Sequence, residues 1–486
     1  MPRTTPRPGP AGSPEAAAET DVVVVGMGAA GCAAAVTAHD AGASVVVLEK
    51  TSAAESGGNT RVSGGAWFQH DDPERAAVYL RALAGDRPIP EPVVRAWAEG
   101  TREVSAWIES LGARVLPTGD YTAEYPELPG SDCYGGYLCV EGVLGDGRLF
   151  TALEKAVRER GIPVHHETPA EQLLTDPATG AVTGVRTATG TPIGARRGVV
   201  LATGGFEGDP ELVRTHLGLH DVPVWGSTAA TGDGLRMAQR VGADLWHMDN
   251  MMAVDGITRP GSRHAFFAMF LYSHGYLWVD ESGERFVDEC APSGHGQALV
   301  DGRYVLKPGR PMHVVFDERT RRAGPISPDA DVLAVGWNVL VEGYRWSKDN
   351  SVEIERGWIH RADTVAELAD LLGVPPARLT ASVREYNEAC AAGRDDRFGR
   401  SPATLDPVTE PPYYAYRSGP VLAWTNGGPR RDEHARVLRP TGEVIEGLYA
   451  AGTVSSTYSW AKDGGFHIAD AIVFGRVAGA HAAART

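Results

Sequence analysis

The sequence has few cysteines and no closely spaced cysteine pair. Its 486 residues include five cysteines, at positions 32, 133, 139, 290 and 390, and no two of them form a C-x-x-C motif. Scattered thiols of this kind argue against a disulfide framework and against a metal cage. We therefore expect free thiols, a reducing compartment and no bound metal ion.

Long apolar runs and an excess of positive charge are also absent. Nothing approaches the roughly 18-residue apolar stretch of a membrane span, and positions 1–20 lack the apolar segment of a signal peptide. That terminal stretch is rich in Pro, Ala, Gly and Thr, which predicts a disordered tail. The net charge of −16 argues against nucleic acid or an anionic membrane as a partner. We expect a cytoplasmic protein without a membrane span.

The most informative stretch that is present covers residues 21–50. It reads DVVVVGMGAAGCAAAVTAHDAGASVVVLEK. The β-branched run at 22–25 is typical of a buried parallel strand. Residues 26–31 then fit the G-x-G-x-x-G pattern, an Ala-rich helical segment follows, and a second apolar run at 45–48 ends at Glu49. The strand, helix and acid around the glycines make this signal more specific than the glycines alone.

Each glycine of this motif has a physical role. Gly26 permits a tight turn, Gly28 removes a side chain where a pyrophosphate must approach, and Gly31 lets the helix pack closely on the strand. Phosphates then bind unpaired N–H groups at the helix N-terminus. Glu49 lies 18 residues after Gly31, where an acid accepts hydrogen bonds from an adenosine ribose. The stretch therefore predicts dinucleotide binding.

The chain length indicates two packed domains, because 486 residues exceed one ordinary core. A hydrophobic content of 43% with 59 glycines suits an α/β enzyme. From about residue 245 aromatic and apolar residues alternate, and a nucleotide-fold pattern returns near the C-terminus. We predict an α/β fold in which a Rossmann-like domain is built from both chain ends, 21–242 and 413–486, around an inserted α+β domain at 243–412.

Further motifs follow in a fixed order. They are GGNTRVSGG at 57–65, LATGGF at 201–206, TGDGLRMA at 231–238, GERFVDE at 283–289 and GGFHIADAIVFGRVAG at 464–479. With the GMGAAG turn, they resemble the FAD-dependent fumarate reductase/succinate dehydrogenase flavoprotein superfamily over residues 21–486. The C-terminal motifs are most similar to 3-ketosteroid dehydrogenases and related soluble ketone dehydrogenases. The resemblance implies an FAD-binding domain and a substrate-capping domain.

The resemblance also implies which residues contact FAD. They are Gly26, Gly28, Ala29, Ala30, Gly31, Glu49, Lys50, Ser56, Gly57, Gly58, Asn59, Thr60, Gly64, Gly65, Ala202, Thr203, Gly204, Asp233, Gly452, Thr453, His467 and Ile468. Thr453 stands where family members often hold an acidic residue. Some membrane-bound members attach the flavin through a His near the glycine pair at 57–58, but residues 55–58 here read ESGG. We therefore expect noncovalent FAD.

Fumarate reductases clamp two carboxylates with charged groups and donate a proton from an Arg. By resemblance, these positions correspond to Ser293, Ala423, Met269 and Lys462. Three of the four charges are therefore missing, and the fourth is a lysine. A pocket that also contains Trp278 and Trp424 cannot satisfy a buried dianion, because an unpaired buried charge costs several kcal/mol. We do not expect a dicarboxylate substrate.

The 3-ketosteroid dehydrogenases place a Tyr base at the position of Ser293, and His295 lies two residues further on. Their helper Tyr corresponds to Tyr121 or Tyr125, and their carbonyl-binding turn corresponds to residues 458–465. The catalytic candidates implied by the resemblance are Tyr458, Lys462, Tyr125, Ser293 and His295.

These observations favour an FAD-dependent enzyme acting on a CH–CH bond. Desaturation next to a carbonyl needs hydride transfer to flavin N5, a base for the α-proton and a donor for the carbonyl oxygen. We expect α,β-dehydrogenation, or the reverse ene reduction, of a mostly apolar ketone such as a ketosteroid or cyclic ketone. The alternatives are an enzyme for an unsaturated mono-acid held by Lys462, and a non-catalytic FAD-binding subunit. The sequence identifies a small molecule as substrate but neither the electron acceptor nor the oligomeric state.

Overall fold

The computed structural model describes residues 18–119, 122–290, 293–294, 297–300, 303–306 and 311–486. The first strand begins at Ala18, so the predicted tail is too long by three residues, and residues 1–17 lie outside the described residues. Within the described ranges, no helix combines the length and the apolar character needed to cross a bilayer.

An eight-stranded, largely parallel sheet forms the centre of the first domain. Six of its strands lie in the spatial order Arg436–Leu438, Val444–Ala450, Pro192–Leu201, Ala18–Val25, Val45–Leu48 and Val164–His165. The hairpin of Ala170–Thr175 and Val182–Thr187 extends it beside Pro192–Leu201. Val22 pairs with Val45 on one side and with Gly198 on the other, and the valine run at 22–25 is buried. Both chain ends contribute to this sheet, which confirms the predicted α/β class.

Helices and short strands surround this sheet. The helices are Ala29–Asp40, Gly58–Val62, Pro73–Ala84, Glu91–Arg102, Val104–Ser110, Arg148–Glu159, Pro210–Leu217, Asp233–Arg240 and Phe466–Ala484, with 3-10 turns at Ser131–Cys133 and Thr453–Ser455. The short strands are Trp67–Phe68, Val115–Pro117, Tyr137–Val140, Leu144–Gly145 with Leu333–Ala334, and Leu245–Trp246 with Gly428–Pro429.

A second unit, which we name the capping domain (about residues 251–425), contains a four-stranded antiparallel sheet. The strands lie in the order Tyr276–Val279, Met312–Asp317, Tyr413–Ser418 and His360–Ala362. Other strands are Met251–Val254 with Val421–Thr425, Gly256–Thr258 with Ala265–Phe267, and Ser293–Gly294, Gln297–Val300 and Arg303–Leu306. The helices are Glu318–Ala323, Trp337–Leu340, Ser351–Glu355, Val365–Leu372 and Pro376–Ala392, with a 3-10 turn at Pro402–Thr404.

The capping domain ends later in the chain than predicted. The strand Tyr413–Ser418 pairs with Met312–Asp317 along its whole length, and Val421–Thr425 pairs with Met251–Val254. The predicted boundary at residue 412 therefore falls within the capping domain. The Pro-rich segment before this strand suggests a linker in the sequence, but the strand pairing is a long-range contact that composition does not reveal.

The first and last helices of the chain pack against each other through glycines. A Cβ atom on Gly475 would lie 2.4 Å from the carbonyl oxygen of Ala30, and one on Gly479 would lie 2.3 Å from that of Ala34. Because real Cβ atoms do not approach this closely, the contact fixes the helix Ala29–Asp40, and with it the turn that precedes it, against the C-terminal helix.

This contact predicts that Gly479→Ala destabilises the protein. The added methyl group overpacks the interface, so we expect a loss of about 1–3 kcal/mol in the free energy of unfolding. Ala480→Ser, at the exposed neighbouring position, is the control and should change little. Denaturant unfolding of the two variants measures the difference, and equal stabilities would contradict the packing described.

Candidate active site

The G-x-G-x-x-G segment forms a tight turn that aims backbone N–H groups outward. Gly26 has φ +101°, and a Cβ on it would lie 2.4 Å from the Ala202 carbonyl oxygen. Gly28 precedes the helix without any side-chain cap, and Cys32 N–H donates the first helical hydrogen bond to the Gly28 carbonyl. The N–H groups before Cys32 therefore have no acceptor within the helix. Ala29 N–H donates to the Thr60 hydroxyl at 2.9 Å, and the others form the arrangement that binds phosphate.

Gly31 lies behind this turn. A Cβ on Gly31 would be 2.0 Å from the Gly26 carbonyl oxygen, so the residue is needed for close packing, as predicted, and does not itself line the cavity described next. Ser56 is also buried outside that cavity, and its hydroxyl donates to the Ala53 carbonyl at 3.3 Å.

A cavity of about 740 Å³ opens at the carboxyl ends of the parallel strands. Val25, Leu48 and Ala202 mark these strand ends within its lining. Every predicted cofactor residue except Gly31 and Ser56 lines the cavity. This is the edge of an open α/β sheet where nucleotides bind.

Two predicted charged contacts are already engaged with the protein. Glu49 accepts from Met27 N–H at 3.0 Å and from Thr51 N–H at 2.8 Å, so its carboxylate braces the turn while it lines the cavity. Lys50 donates to Thr231 and to Asp233, both at 2.7 Å. The expected ribose contact of Glu49 stays a prediction.

Asn59 connects the part of the cavity lined by the first domain with the capping domain. Its amide donates to Glu207 at 2.7 Å and to the Ala423 carbonyl at 3.2 Å, and its oxygen accepts from Ser227 N–H at 2.8 Å. Burial raises the pKa of Glu207 to about 7. Asn59 therefore holds the short helix Gly58–Val62 against the strand Val421–Thr425 of the cavity wall.

The residues present fit FAD. Gly58 and Gly64 line the cavity, and a Cβ on either would meet nothing within 4 Å, so the backbone leaves room there for a flat group. The Thr203 hydroxyl also belongs to a lining residue and is buried without a hydrogen-bond partner in the described structure. An unsatisfied hydroxyl at this place is suited to a polar atom of the cofactor.

The remaining part of the cavity, which we name the substrate half, is largely apolar. Its apolar and aromatic lining consists of Trp225, Met252, Ala253, Val254, Phe267, Ala268, Met269, Phe270, Trp278, Leu333, Val335 and Trp424. Met269, Trp278 and Trp424 were expected in the pocket. Ala423 is not among the lining residues; its side chain is buried in a hydrophobic cluster.

The charged groups of the substrate half are acidic. Glu124, Asp255 and Glu289 line it, and Lys50 is the only Lys or Arg among the described lining residues of the whole cavity. Asp255 accepts from the Tyr416 hydroxyl at 2.9 Å, and Glu289 forms an ion pair with Arg285 at 2.7 Å. A substrate carboxylate would meet like charge here and lose its hydration without gaining a cation.

Tyr458 is placed away from the cavity, in contrast to the expectation. Its side chain is fully buried, and its hydroxyl donates to the Phe466 carbonyl at 2.6 Å and accepts from the Trp97 indole at 2.8 Å. Burial raises its pKa well above the usual value. The phenol holds the turn before the last helix and does not face substrate.

Lys462 is also buried outside the cavity. Its ammonium donates to the Asn250 side chain at 2.8 Å and to the Met251 carbonyl at 2.5 Å. Burial lowers its pKa to about 7. The proposed grip of Lys462 on a substrate acid is therefore not supported by its position.

Of the other catalytic candidates, the structure describes the side chain of Tyr125 only. Tyr125 is packed in the core of the first domain and does not line the cavity. Ser293 lies in a strand that pairs with Ala298, and its side chain is not described. His295 and Tyr121 lie outside the described residues.

Tyr137 and Glu124, which are not among the residues predicted from the sequence, also line the cavity. The Tyr137 hydroxyl donates to the Glu124 carboxylate at 3.3 Å. A Cβ on Gly464 would lie 1.7 Å from this hydroxyl, so the glycine pair at 464–465 exists partly to admit the phenol. The glycine pair at 464–465, and the position of Glu124 next to the candidate Tyr125, were the sequence features that could have identified Tyr137 and Glu124. His467, at the start of the last helix, shares a 2.8 Å hydrogen bond with Asn426.

Comparison with known proteins agrees with this architecture. Residues 21–465 match the family model described as FAD binding domain. The chain is 30% identical to a 3-oxosteroid 1-dehydrogenase of Mycobacterium tuberculosis, over 96% of this chain and 98% of that protein. It is 28% identical to a probable fumarate reductase of Shewanella frigidimarina, over 96% of this chain and 75% of that protein.

A similar fold is found in a crystal structure of 3-ketosteroid delta1-dehydrogenase from Sterolibacterium denitrificans in complex with 1,4-androstadiene-3,17-dione. The TM-score is 0.77 at 24% sequence identity, covering 96% of this chain and 99% of that chain. At this identity the likeness concerns the fold alone. It confirms the combination of an FAD-binding domain with a capping domain.

The turn geometry predicts that Gly28→Val folds but loses most of its FAD. Gly28 has φ −77°, which valine tolerates, and its Cβ would touch nothing closer than the Thr60 hydroxyl at 3.4 Å. The branched side chain would instead occupy the space of the pyrophosphate. The flavin-to-protein absorbance ratio and the circular dichroism spectrum measure this, with Ala41→Val at the exposed end of the same helix as control. A yellow Gly28→Val protein would contradict the assignment.

The buried Lys462 amine predicts a pH-dependent stability. Its pKa is about 7 in the folded protein and near 10.4 in an unfolded chain, so the unfolded state binds more protons between these values and stability rises with pH there. From pH 7 to pH 9 the wild type should gain about 2 kcal/mol relative to Lys462→Met. Denaturant unfolding of both proteins at the two pH values tests this; parallel pH profiles would show that the amine is not buried in this way.

Proposed function

Because the chain belongs to the FAD binding domain family and is a flavin-dependent oxidoreductase acting on CH–CH bonds, we propose that it dehydrogenates a mostly apolar ketone between the α and β carbons, or catalyses the reverse ene reduction. A ketosteroid or another cyclic ketone suits this description. The observation that supports the proposal is the substrate half itself, whose walls are apolar and whose charged lining groups are acidic.

FAD, when bound, supplies the hydride acceptor or donor for this chemistry. The helix N-terminus after Gly28 would hold its pyrophosphate, and the glycines at 57–58 and 64–65 would lie against its ring system. We propose that the attachment is noncovalent. His467 is the only histidine among the described lining residues, and its ring nitrogen is engaged with Asn426. The five unpaired thiols support the expectation of a reducing, cytoplasmic environment.

Tyr137 is the proposed donor to the substrate carbonyl oxygen. Burial and the neighbouring Glu124 carboxylate raise the pKa of this phenol, so it stays protonated and acts as a hydrogen-bond donor. A donor aimed at an oxygen that becomes enolate-like lowers the barrier more than it strengthens substrate binding. Glu124 orients the phenol until the carbonyl replaces it as the acceptor.

The two alternative functions are not retained. An unsaturated mono-acid held by Lys462 lacks its anchor, because that ammonium is bonded to Asn250 and Met251 away from the cavity. A non-catalytic subunit is not favoured, because the similar full-length proteins are dehydrogenases and reductases.

An anaerobic absorbance assay tests the proposal. The oxidised holoprotein is mixed with saturated cyclic ketones, dicarboxylates or mono-acids, and flavin bleaching is followed near 450 nm, roughly the oxidised-flavin band. We expect bleaching by ketones only, and a loss of about 100-fold in its rate in Tyr137→Phe. Tyr413→Phe, a tyrosine outside the cavity, should retain the wild-type rate. Bleaching by dicarboxylates but by no ketone would contradict the proposal.

A further inference from the structure

We propose that Tyr276, Cys290 and His274 form a proton relay that connects the substrate half of the cavity with solvent. The inference rests on the proposed function, because it supplies the base and the proton exit that dehydrogenation of a ketone requires. Tyr137 serves the carbonyl oxygen, and this second phenol enters from the capping domain.

The three side chains lie in sequence from the cavity outward. Tyr276 lines the cavity, and its ring stacks on that of Phe270 with a centroid distance of 4.3 Å. Its hydroxyl lies 3.4 Å from the Cys290 sulfur, and that sulfur lies 3.9 Å from His274 Nδ1. Tyr276 and Cys290 are partly buried and His274 is exposed. Each step is therefore at hydrogen-bond range for its atoms, and the last member can exchange protons with water.

Arg400 fixes the backbone at Tyr276 and His274, the two ends of the relay. Its guanidinium is fully buried and donates to the Tyr276 carbonyl at 2.8 Å and to the His274 carbonyl at 2.6 Å. It also lies over the Tyr276 ring, 5.3 Å from the centroid. Glu289, which directly precedes Cys290, pairs with Arg400 at 3.1 Å. The backbone of Tyr276 and His274 is thus held by Arg400 of this buried ion pair, and the Cys290 N–H donates to Asp288 at 2.9 Å.

The surroundings keep Tyr276 neutral. Burial raises its pKa well above the usual value, Cys290 and Asp255 act in the same direction, and Arg400 opposes them. A phenol that does not ionise can still transfer a proton if it accepts one at its oxygen while it donates its own to a neighbour. The Cys290 sulfur is the neighbour that the geometry provides.

These contacts provide a path for the α-proton of the substrate. The substrate α-carbon loses a proton to the Tyr276 oxygen, and the electron pair of the broken C–H bond enters the new C=C bond. The original phenol proton passes to the Cys290 sulfur, the thiol proton passes to His274 Nδ1, and the resulting imidazolium releases a proton to water. FAD, when bound, would supply the acceptor for the hydride lost from the β-carbon.

The acidic side chains of the substrate half are less suited to this task. Glu124 already accepts a hydrogen bond from Tyr137 at 3.3 Å. Asp255 is hydrogen-bonded by Tyr416, and Glu289 accepts from the Trp278 backbone as well as from Arg285 and Arg400. Their charges stabilise the walls of the cavity. Tyr276 differs because its hydroxyl is hydrogen-bonded to Cys290, which in turn contacts the exposed His274.

Single-turnover flavin bleaching by a ketone, in H₂O and in D₂O, tests the relay on the holoenzyme. Tyr276→Phe keeps the stacking on Phe270 and should lower the rate by about 100-fold. Cys290→Ala and His274→Gln should each lower it by about tenfold and change the solvent isotope effect, while Cys290→Ser restores part of the rate. Cys390→Ala, which changes a partly buried thiol on the helix Pro376–Ala392 of the capping domain, is the matched control and should behave as wild type.

If Cys290→Ala and His274→Gln keep the wild-type rate and isotope effect, the relay is wrong, and the proposed function stands. A second readout does not need turnover. Alkylation of Cys290 by iodoacetamide at fixed neutral pH, followed by peptide mass spectrometry, should slow several-fold in His274→Gln, because the neighbouring imidazole can accept the thiol proton as the sulfur attacks, while alkylation of Cys390 stays unchanged. Equal Cys290 alkylation in both proteins would overturn the contact even if no ketone bleaches the flavin, an outcome that would refute the proposed function separately.

Discussion

The close approach of Gly31 to the Gly26 carbonyl is the constraint on which the cofactor site depends. A side chain at Gly31 would push the helix Ala29–Asp40 away from the strand, and the N–H groups at its start would no longer face the cavity. The glycine contact with the C-terminal helix fixes the same helix from the opposite side. The turn is therefore held by the close packing of glycines on its backbone, and the Glu49 carboxylate adds a hydrogen bond from Met27 N–H.

The second consequence of the architecture is a division of labour within one cavity. Glycines and strand ends from the first domain form a surface for a flat cofactor, and aromatic and aliphatic side chains from the capping domain form the opposite wall. That wall contains acids already engaged with partners such as Arg285 and Tyr416, which agrees with the uncharged substrate that we propose.

The cofactor half of the site was predictable because its signals are local. Strand, glycine turn, helix and terminal acid lie within thirty residues, and the later motifs add glycines whose conformational needs are visible in the sequence. The residues that line the substrate half were not predictable in this way. Glu124 lines the cavity while its neighbour Tyr125 is packed in the core, and no local motif tells which of the two faces the cavity. Tyr458 and Lys462 lie in the expected turn, yet Trp97 and Asn250, more than 200 residues earlier in the chain, bind them on its inner side. Likewise, the strand Tyr413–Ser418 joins the capping domain through a pairing that no local pattern reveals.

That strand has a mechanical consequence. Only Gly419 and Pro420 separate Tyr413–Ser418, in the sheet of the capping domain, from Val421–Thr425, which carries Trp424 into the cavity. A link of two residues allows little independent movement of the two strands. A rotation of the capping-domain sheet relative to the first domain would therefore move the Trp424 indole at the cavity wall, and the fluorescence of that indole would respond to the movement.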